Sequence, residues 1–575
     1  MKLRFAIALA ATIALGVVPA SAGAKGTMYV VGSGSSTVAP LAIGPAGGLS
    51  PVGAAVATGN TPRAAAVTPN AQNLYVSSVG GDSISVYTIG SNGSLTPLSA
   101  AVPTGTDPTG LAISPNGLFL FAANQGSNNI SGFAIGSNGS LVPLGGSPYP
   151  AANVKNVAIT ADGLHLYATV DTGVRAFDIN QTTGALTNVG GVSAAGTNPE
   201  GLATTPDSRF LYITNNGSAN VTGFSIGADG SLTSLGNTAT GNVPRTPAVT
   251  PNGSFLYTPN FGSNTVSGFV IGAGGALTPA TGQPFAASTQ PFGLDASPNG
   301  QNVYASGFNN NLAAPVDGYS IGSGGAMASI SGSPFASGVN GSEFQSVAIT
   351  PNQGPRALFT ATPQGAGNET LFSGSSSSDP DGGTIARYDW DFGDGSTLAN
   401  GGPTPTHVYA AAGDYQVTLV VTDDEGCSTT VVFTGQTADC NGSASARETQ
   451  TVPISASDTV PDLTLSAKKQ KLGKVVKVKA KTLDQTEAVA KGKLKTEGPK
   501  KGKAALGSYS LKKDTETLTG DGKQTLKLKI PSKARKKGKQ ALKKGGKVTA
   551  KINVKVTDAD DDTDKASVKV KLTKK

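Results

Sequence analysis

Residues 108–135 read PTGLAISPNGLFLFAANQGSNNISGFAI, and this stretch recurs along the chain. It returns at 199–226 as PEGLATTPDSRFLYITNNGSANVTGFSI and at 244–270 as PRTPAVTPNGSFLYTPNFGSNTVSGFV. The aromatic closing the LY, LF or equivalent pair serves as a register mark: Tyr29, Tyr75, Phe121, Tyr167, Tyr212, Tyr257 and Tyr304, at steps of 46, 46, 46, 45, 45 and 47 residues. Each unit holds four short β-rich runs, in the third unit 110–114, 118–123, 130–136 and 141–144. Asn-Gly, Gly-Ser and Asp-Gly pairs stand between them and tolerate the positive φ of tight hairpins. Four strands at a period of 40 to 50 residues describe a propeller blade. A helical repeat would need an apolar stripe at 3.6 spacing, which these Gly- and Thr-studded runs lack.

The ends of the array predict its closure. Tyr29 has no inner strand before it, whereas FQSVAIT (344–350) is an inner strand with no unit after it. Together they make one split blade, which removes the sheet edges an open array would expose. The expectation is a seven-bladed propeller over residues 27–354.

Outward from the array the composition changes. Residues 1–22, MKLRFAIALAATIALGVVPASA, combine Lys2 and Arg4, an apolar run and a small-residue cleavage site, and read as an export signal. No later run has the length of a membrane helix. The segment 355–440 loses the period and holds the aspartate-rich stretch SSSSDPDGGTIARYDWDFGDG. Its strand pattern Val417, Leu419, Val421 suits a small two-sheet sandwich, with Trp390, the chain's only tryptophan, as the core plug. Both cysteines, Cys427 and Cys440, fall here; a bridge between them suits an oxidising compartment, and two free thiols are the alternative. Residues 441–460 are polar, a linker or a strand donated to a neighbour. From 461 to 575 the chain carries 33 Lys plus Arg against 12 Asp plus Glu, a net of +21; the rest has 11 against 24, a net of −13. The formal +8 therefore hides a divided molecule. Alternating runs such as VVKVKAK (475–481) and VTAKINVKV (548–556) put lysines on one face and apolar residues on the other, the pattern of a third, lysine-faced sandwich. KARKKGKQALKKGGK (533–547) reads as a loop or short helix between its strands.

Candidate chemistry is constrained by two histidines, His165 and His407. Neither sits in a nucleophile-triad arrangement, and no GxSxG elbow occurs. Two histidines and two pairable cysteines leave no zinc site. Equivalent positions are more informative, because a propeller sets them in a ring. The residue after the Pro-type turn is Arg63, Thr109, Lys155, Glu200, Arg245, Phe292 and Gln345. This turn leads into the innermost strand, so the ring should surround the channel mouth. Arg63, Lys155, Glu200 and Arg245 are the ligand-binding candidates for an anionic ligand, and Glu200, Arg245 and Arg63 the catalytic ones. Asp107 and Asn198 stand one step before the turn proline. Carboxylates at Asp379, Asp381, Asp558, Asp560 and Asp562 are calcium candidates, and no other cofactor is expected. The lysine tail should attract polyanions but not read nucleic acid specifically, since Tyr509 is its only aromatic.

The LYVSSVGGDSISVYTIG (74–90) and LYITNNGSANVTGFSIG (211–227) units resemble the YVTN-type repeats of lactonase-like seven-bladed propellers, a group that includes 6-phosphogluconolactonases and muconate-cycloisomerising enzymes. YDWDFGDG (388–395) with HVYAAAGDYQVTLVVTD (407–423) resembles a PKD domain, an immunoglobulin-like module. The tail is similar to lysine-rich immunoglobulin-like modules of exported proteins. The implied architecture is all-β: a seven-bladed β-propeller followed by two β-sandwich (Ig-like) domains. The resemblance implies a channel-mouth cluster of Arg and Glu with a His. Arg63, Lys155, Glu200 and Arg245 match the charged roles, no ring position carries the His, and Glu200 would have to stand in as base. The expected function is therefore a secreted or cell-surface monomer that binds or displays a carbohydrate, an anionic cell-surface polymer or a protein, with the later modules as spacer and tether. The alternative is a secreted lactonase or related lyase acting on a sugar lactone or acidic sugar at the mouth.

Overall fold

The computed structural model describes residues 26–309, 313–341, 343–456, 463–481, 486–497, 505–518, 523–557 and 563–574. The architecture is all-β apart from short helical turns and one helix in the tail. The export signal read at 1–22 lies outside the described residues. Among those described, no helix is long and apolar enough to cross a membrane.

Seven antiparallel sheets carry the seven aromatic marks, each on the second strand from the inside. A representative blade runs Pro199–Thr204, Phe210–Asn215, Asn220–Ile226, Leu232–Ala239. The late strand Val347–Ile349 pairs with Thr27–Gly32, setting Ala348 opposite Tyr29. The split blade is thus built from residues at both ends of the repeat array.

The marks also join neighbouring blades. The hydroxyls of Tyr29, Tyr75, Tyr167, Tyr212 and Tyr257 donate to the carbonyls of Gly93, Gly139, Gly230, Gly275 and Gly325, at 2.7 to 3.0 Å. Tyr304 donates to Gly47 at 2.8 Å across 257 residues, continuing the series around the ring. Phe121 has no hydroxyl to give. A buried tyrosine needs such an acceptor, and the acceptor glycines are turn residues at positive φ, between 74° and 87°, where a side chain would be strained. The Asn-Gly, Asp-Gly and Gly-Gly turns of the repeat therefore supply hairpin geometry and the inter-blade acceptor together.

The chain forms two compact units. One comprises the described residues up to Pro363 with Thr370–His407 and Asp414–Val452; the other comprises Gln364–Glu369, Val408–Gly413 and the described residues from Pro453 onward. In the first unit, Trp390 is buried and its Nε1 donates to the Gly402 carbonyl at 3.0 Å. The Phe359 and Phe372 rings lie 5.4 and 5.6 Å from it. Val417, Leu419 and Val421 are fully buried, as the alternation predicts. Cys427 and Cys440 form a disulfide. Within 441–460, Arg447–Ile454 is a strand beside Gly413–Asp423.

The second unit has a three-stranded and a six-stranded sheet around a core that includes Val478, Leu494, Leu528, Ile552 and Leu572. The basic patch holds the helix Ser532–Lys543, whose buried face is Ala534, Gly538 and Ala541.

Candidate functional site at the channel mouth

The strand register shows how the ring is made. The aromatic marks pair with Ala348, Ala66, Ala112, Ala158, Ala203, Ala248 and Asp295 on the innermost strands. Three residues earlier along the chain stand Gln345, Arg63, Thr109, Lys155, Glu200, Arg245 and Phe292. The seven positions compared in the sequence therefore occupy one level of the propeller.

At that level the charges pair across blades. Arg245 Nη1 donates to both oxygens of Glu200, at 2.5 and 2.6 Å. Asn216 Nδ2 donates to Glu200 Oε2 at 2.7 Å, and the carboxylate side chain is only 4% exposed. Lys155 Nζ donates to Asn198 Oδ1. Burial pushes the Lys155 ammonium below its ordinary range, against the opposing pull of Glu200 and Asp171. Arg63 forms an ion pair with Glu343 at 2.7 Å. The Nε of Arg63 and of Arg245 are buried without an acceptor. Both guanidinium groups thus keep donor capacity that their carboxylate partners do not use.

Aromatic rings form the wall beside these charges. The Arg245 guanidinium lies 4.2 Å from the Phe292 ring centre and 4.9 Å from that of Phe261. Arg63 lies 4.6 Å over Phe344. Phe292 bridges the two stacks, 5.5 Å from both Phe261 and Phe344. Stacking fixes the planar guanidinium groups in place. Thr109 and Gln345 play a different part. Thr109 Oγ1 donates to the Lys155 carbonyl at 2.6 Å, and the Gln345 side chain bonds Leu111 N and Ala65 O. Asp107 is exposed, and its backbone N donates to Asp82.

Asn216, Phe261, Phe308 and Glu343 join this mouth although the ring comparison did not select them. The first three share a signal: each stands four residues after its mark, where the other blades carry Ser33, Val79, Gln125 and Asp171. That is a second ring, on the loop after the second strand. His165 and His407 lie elsewhere, paired with Asp178 at 2.8 Å and Asp394 at 2.7 Å.

The channel is closed from its other end. A hairpin of Val432–Phe433 and Ala438–Cys440 inserts its turn between the innermost strands. Thr434, Gly435 and Gln436 carbonyls accept from Thr204, Ile159 and Ile113 N at 3.0, 2.7 and 3.0 Å. These three donors end their strands, whereas the ring residues stand at the strand starts or two to three residues before them. Gln436 Nε2 also donates to the Leu202 and Val157 carbonyls, at 2.8 and 3.3 Å. A cavity of about 30 Å³ remains between ring and plug, lined by Thr246, Gln345, Asp295, Thr434 and Asp439 among others. It has room for one or two waters. Burial pushes the Asp295 carboxyl up to about 7. Burial and then the neighbouring Asp295 raise Asp439 well above the ordinary carboxyl range.

The channel is thus a blind, charged, aromatic-walled mouth. A family model described as "Lactonase, 7-bladed beta-propeller" matches residues 21–152 and 147–248, and a PKD-domain model matches 352–437. The chain carries a lactonase-type seven-bladed β-propeller domain fused to a PKD domain. The lactonase match includes Arg63, Lys155, Glu200 and Arg245. A candidate 6-phosphogluconolactonase from Bacteroides uniformis ATCC 8492 shares the fold: it is 19% identical, with 57% of this chain and 100% of that one covered and a TM-score of 0.50. The periplasmic gluconolactonase PpgL of Pseudomonas aeruginosa is 19% identical, covering 56% and 99%, with a TM-score of 0.48. A microbial collagenase of Vibrio alginolyticus is 42% identical over 96 residues, 16% of this chain and 11% of the collagenase. The chain thus spans about a tenth of that relative's length.

In the PKD domain, Asp379, Asp423 and Glu425 bring ligand oxygens within 4.8 Å of one another. Asp381, pushed up to about 7 by burial and then by these same three carboxylates, lies beside them. Such hard oxygen donors are of the type that holds Ca²⁺. Of the two calcium candidates read there, Asp379 is in the cluster and Asp381 at its edge; Asp423 and Glu425 come from the far end of the domain. Asp389 and Asp394 are elsewhere, paired with Arg387 and His407. Asp558, Asp560 and Asp562 lie outside the described residues.

Proposed function

We propose that the propeller hydrolyses a sugar lactone at the charged mouth, and that the chain is exported with the PKD domain and an immunoglobulin-like, lysine-rich module as spacer and tether. The observation that carries the reading is the Glu200–Arg245 pair, oriented by Asn216 beside Lys155 and walled by Phe261 and Phe292. A sugar ring stacks on the aromatic wall while Arg63, Arg245 and Lys155 attract its polar or acidic end. Glu200 takes a proton from a water that attacks the lactone carbonyl, and Arg245 and Lys155 stabilise the oxyanion that forms. Collapse breaks the ring C–O bond, the alkoxide takes the proton back from Glu200, and the open hydroxy acid leaves. The lactonase-type fold favours this reading over the display role expected from sequence. The plug supports it too, because a mouth closed beneath limits bulk water under the substrate.

The test is a panel of aldono-1,5-lactones and acidic-sugar lactones, with the full chain and proton release followed against the spontaneous rate. The expected result is at least one lactone opened well above background. No acceleration of any lactone would overturn the reading.

A further inference from the structure

We propose that the exposed lysine face of the six-stranded C-terminal sheet is a docking surface for a linear, carboxylate-bearing polysaccharide. This specifies the partner of the tether proposed above, and it is tested without reference to turnover.

The face is made by three adjacent strands, Thr486–Glu497, Lys547–Thr557 and Thr563–Thr573. Their alternation sends Leu494, Ile552 and Val570 into the core and leaves the neighbouring lysines outside. Register then aligns those lysines. Lys493 pairs with Lys551, and Lys551 with Lys569, so three exposed ammonium groups form one rank across the sheet. Lys555 opposes Lys565, while Lys495 and Lys571 flank Thr549 from either side.

Like charges set directly opposite on a sheet face repel and destabilise it. Elsewhere on these strands the register relieves that repulsion, with Lys491 opposite Asn553, Lys495 opposite Thr549 and Glu497 opposite Lys547, so the rank of Lys493, Lys551 and Lys569 stands out as more than solubility requires. Here successive strands are about 4.8 Å apart and same-face residues roughly 6.8 Å apart, so the array offers cations on a lattice to an extended polyanion. The positions between the lysines choose among polyanions. They are Thr549, Asn553 and Ser567, all groups that hydrogen-bond sugar hydroxyls between carboxylates. Among the described residues of this unit from Pro453 onward, no large hydrophobic side chain is exposed to enter a bilayer, and Tyr509 is the tail's only aromatic on which a base could stack.

The experiment measures binding of the full chain to polygalacturonate at about 0.15 M salt. Polyphosphate, anionic phospholipid vesicles, duplex DNA and dextran are the competing probes. Two charge-matched variants are compared: K493Q/K551Q/K569Q on the rank, and K533Q/K536Q/K537Q on the helix. The rank variant should bind polygalacturonate about tenfold or more weakly, and the helix variant within about threefold of the native chain. As a readout that needs no variant, polygalacturonate should protect Lys493, Lys551 and Lys569 from acetylation while leaving Lys533 and Lys536 reactive. Equal losses in both variants, absent protection, tighter binding to any competing probe, or no binding would each overturn the proposal.

Discussion

Glu200→Gln should lower kcat/KM for the lactone by about 100-fold or more, mostly through kcat, because a general base contributes on that order. The substitution keeps the shape of the side chain and one acceptor for the Arg245 guanidinium, but removes the group that takes the proton. Arg245 donates to both Glu200 oxygens and Asn216 to one of them, so the orientation of the carboxylate is set before substrate arrives. The carboxylate is buried, and its replacement leaves Arg245 with less compensation; melting of the variant separates loss of fold from loss of chemistry. If the folded variant retains the native rate, Glu200 is not the base.

Raising the pH from about 5 to about 8 should lower the melting temperature of the first unit, and Asp295→Asn should make that fall measurably smaller. In six blades the residue opposite the aromatic mark is alanine; in the seventh it is Asp295, facing the cavity above the plug. Burial moves its carboxyl from 3.8 to about 7. Below about pH 4 folded and unfolded chains both carry the proton, and its stabilising contribution is fully present. Between these values only the folded chain keeps it, so stability falls as pH rises and the loss is complete above about 7. At about 1.4 kcal/mol per pH unit this amounts to about 4 kcal/mol. Asp439, on the plug, is shifted in the same direction, and these two are the titratable groups that line the cavity. Asp439, together with Asp381 and Asp423, pushed up to about 7 and about 6, leaves a residual slope in the variant. Native and Asp295→Asn chains with the same pH slope would show that Asp295 is not protonated when folded.

The fold was legible because the repeat encodes it at every level. The spacing of the marks predicts the blades, the orphan FQSVAIT predicts the split blade, and the glycines of the turns accept the tyrosine hydroxyls. The candidate site was legible in part. Comparing equivalent positions finds Arg63, Lys155, Glu200 and Arg245, because a repeat exposes whatever departs from it. The same comparison four residues after each mark would have found Asn216, Phe261 and Phe308, and at the mark's own partner it would have found Asp295. The plug was not legible. VVFTGQTADC has no repeat to depart from, and its Gln436 meets Val157 and Leu202 at separations of 279 and 234 residues, contacts that only the folded ring creates.

The most direct measurement is a crystal structure of the full chain with the aldonate released from its best lactone. The predicted result places the carboxylate within hydrogen-bond distance of Arg245 or Lys155, with the sugar carbons against Phe261 and Phe292 and the plug hairpin in place beneath. An aldonate bound elsewhere, with the mouth filled only by water at saturating ligand, would contradict the assignment of the site.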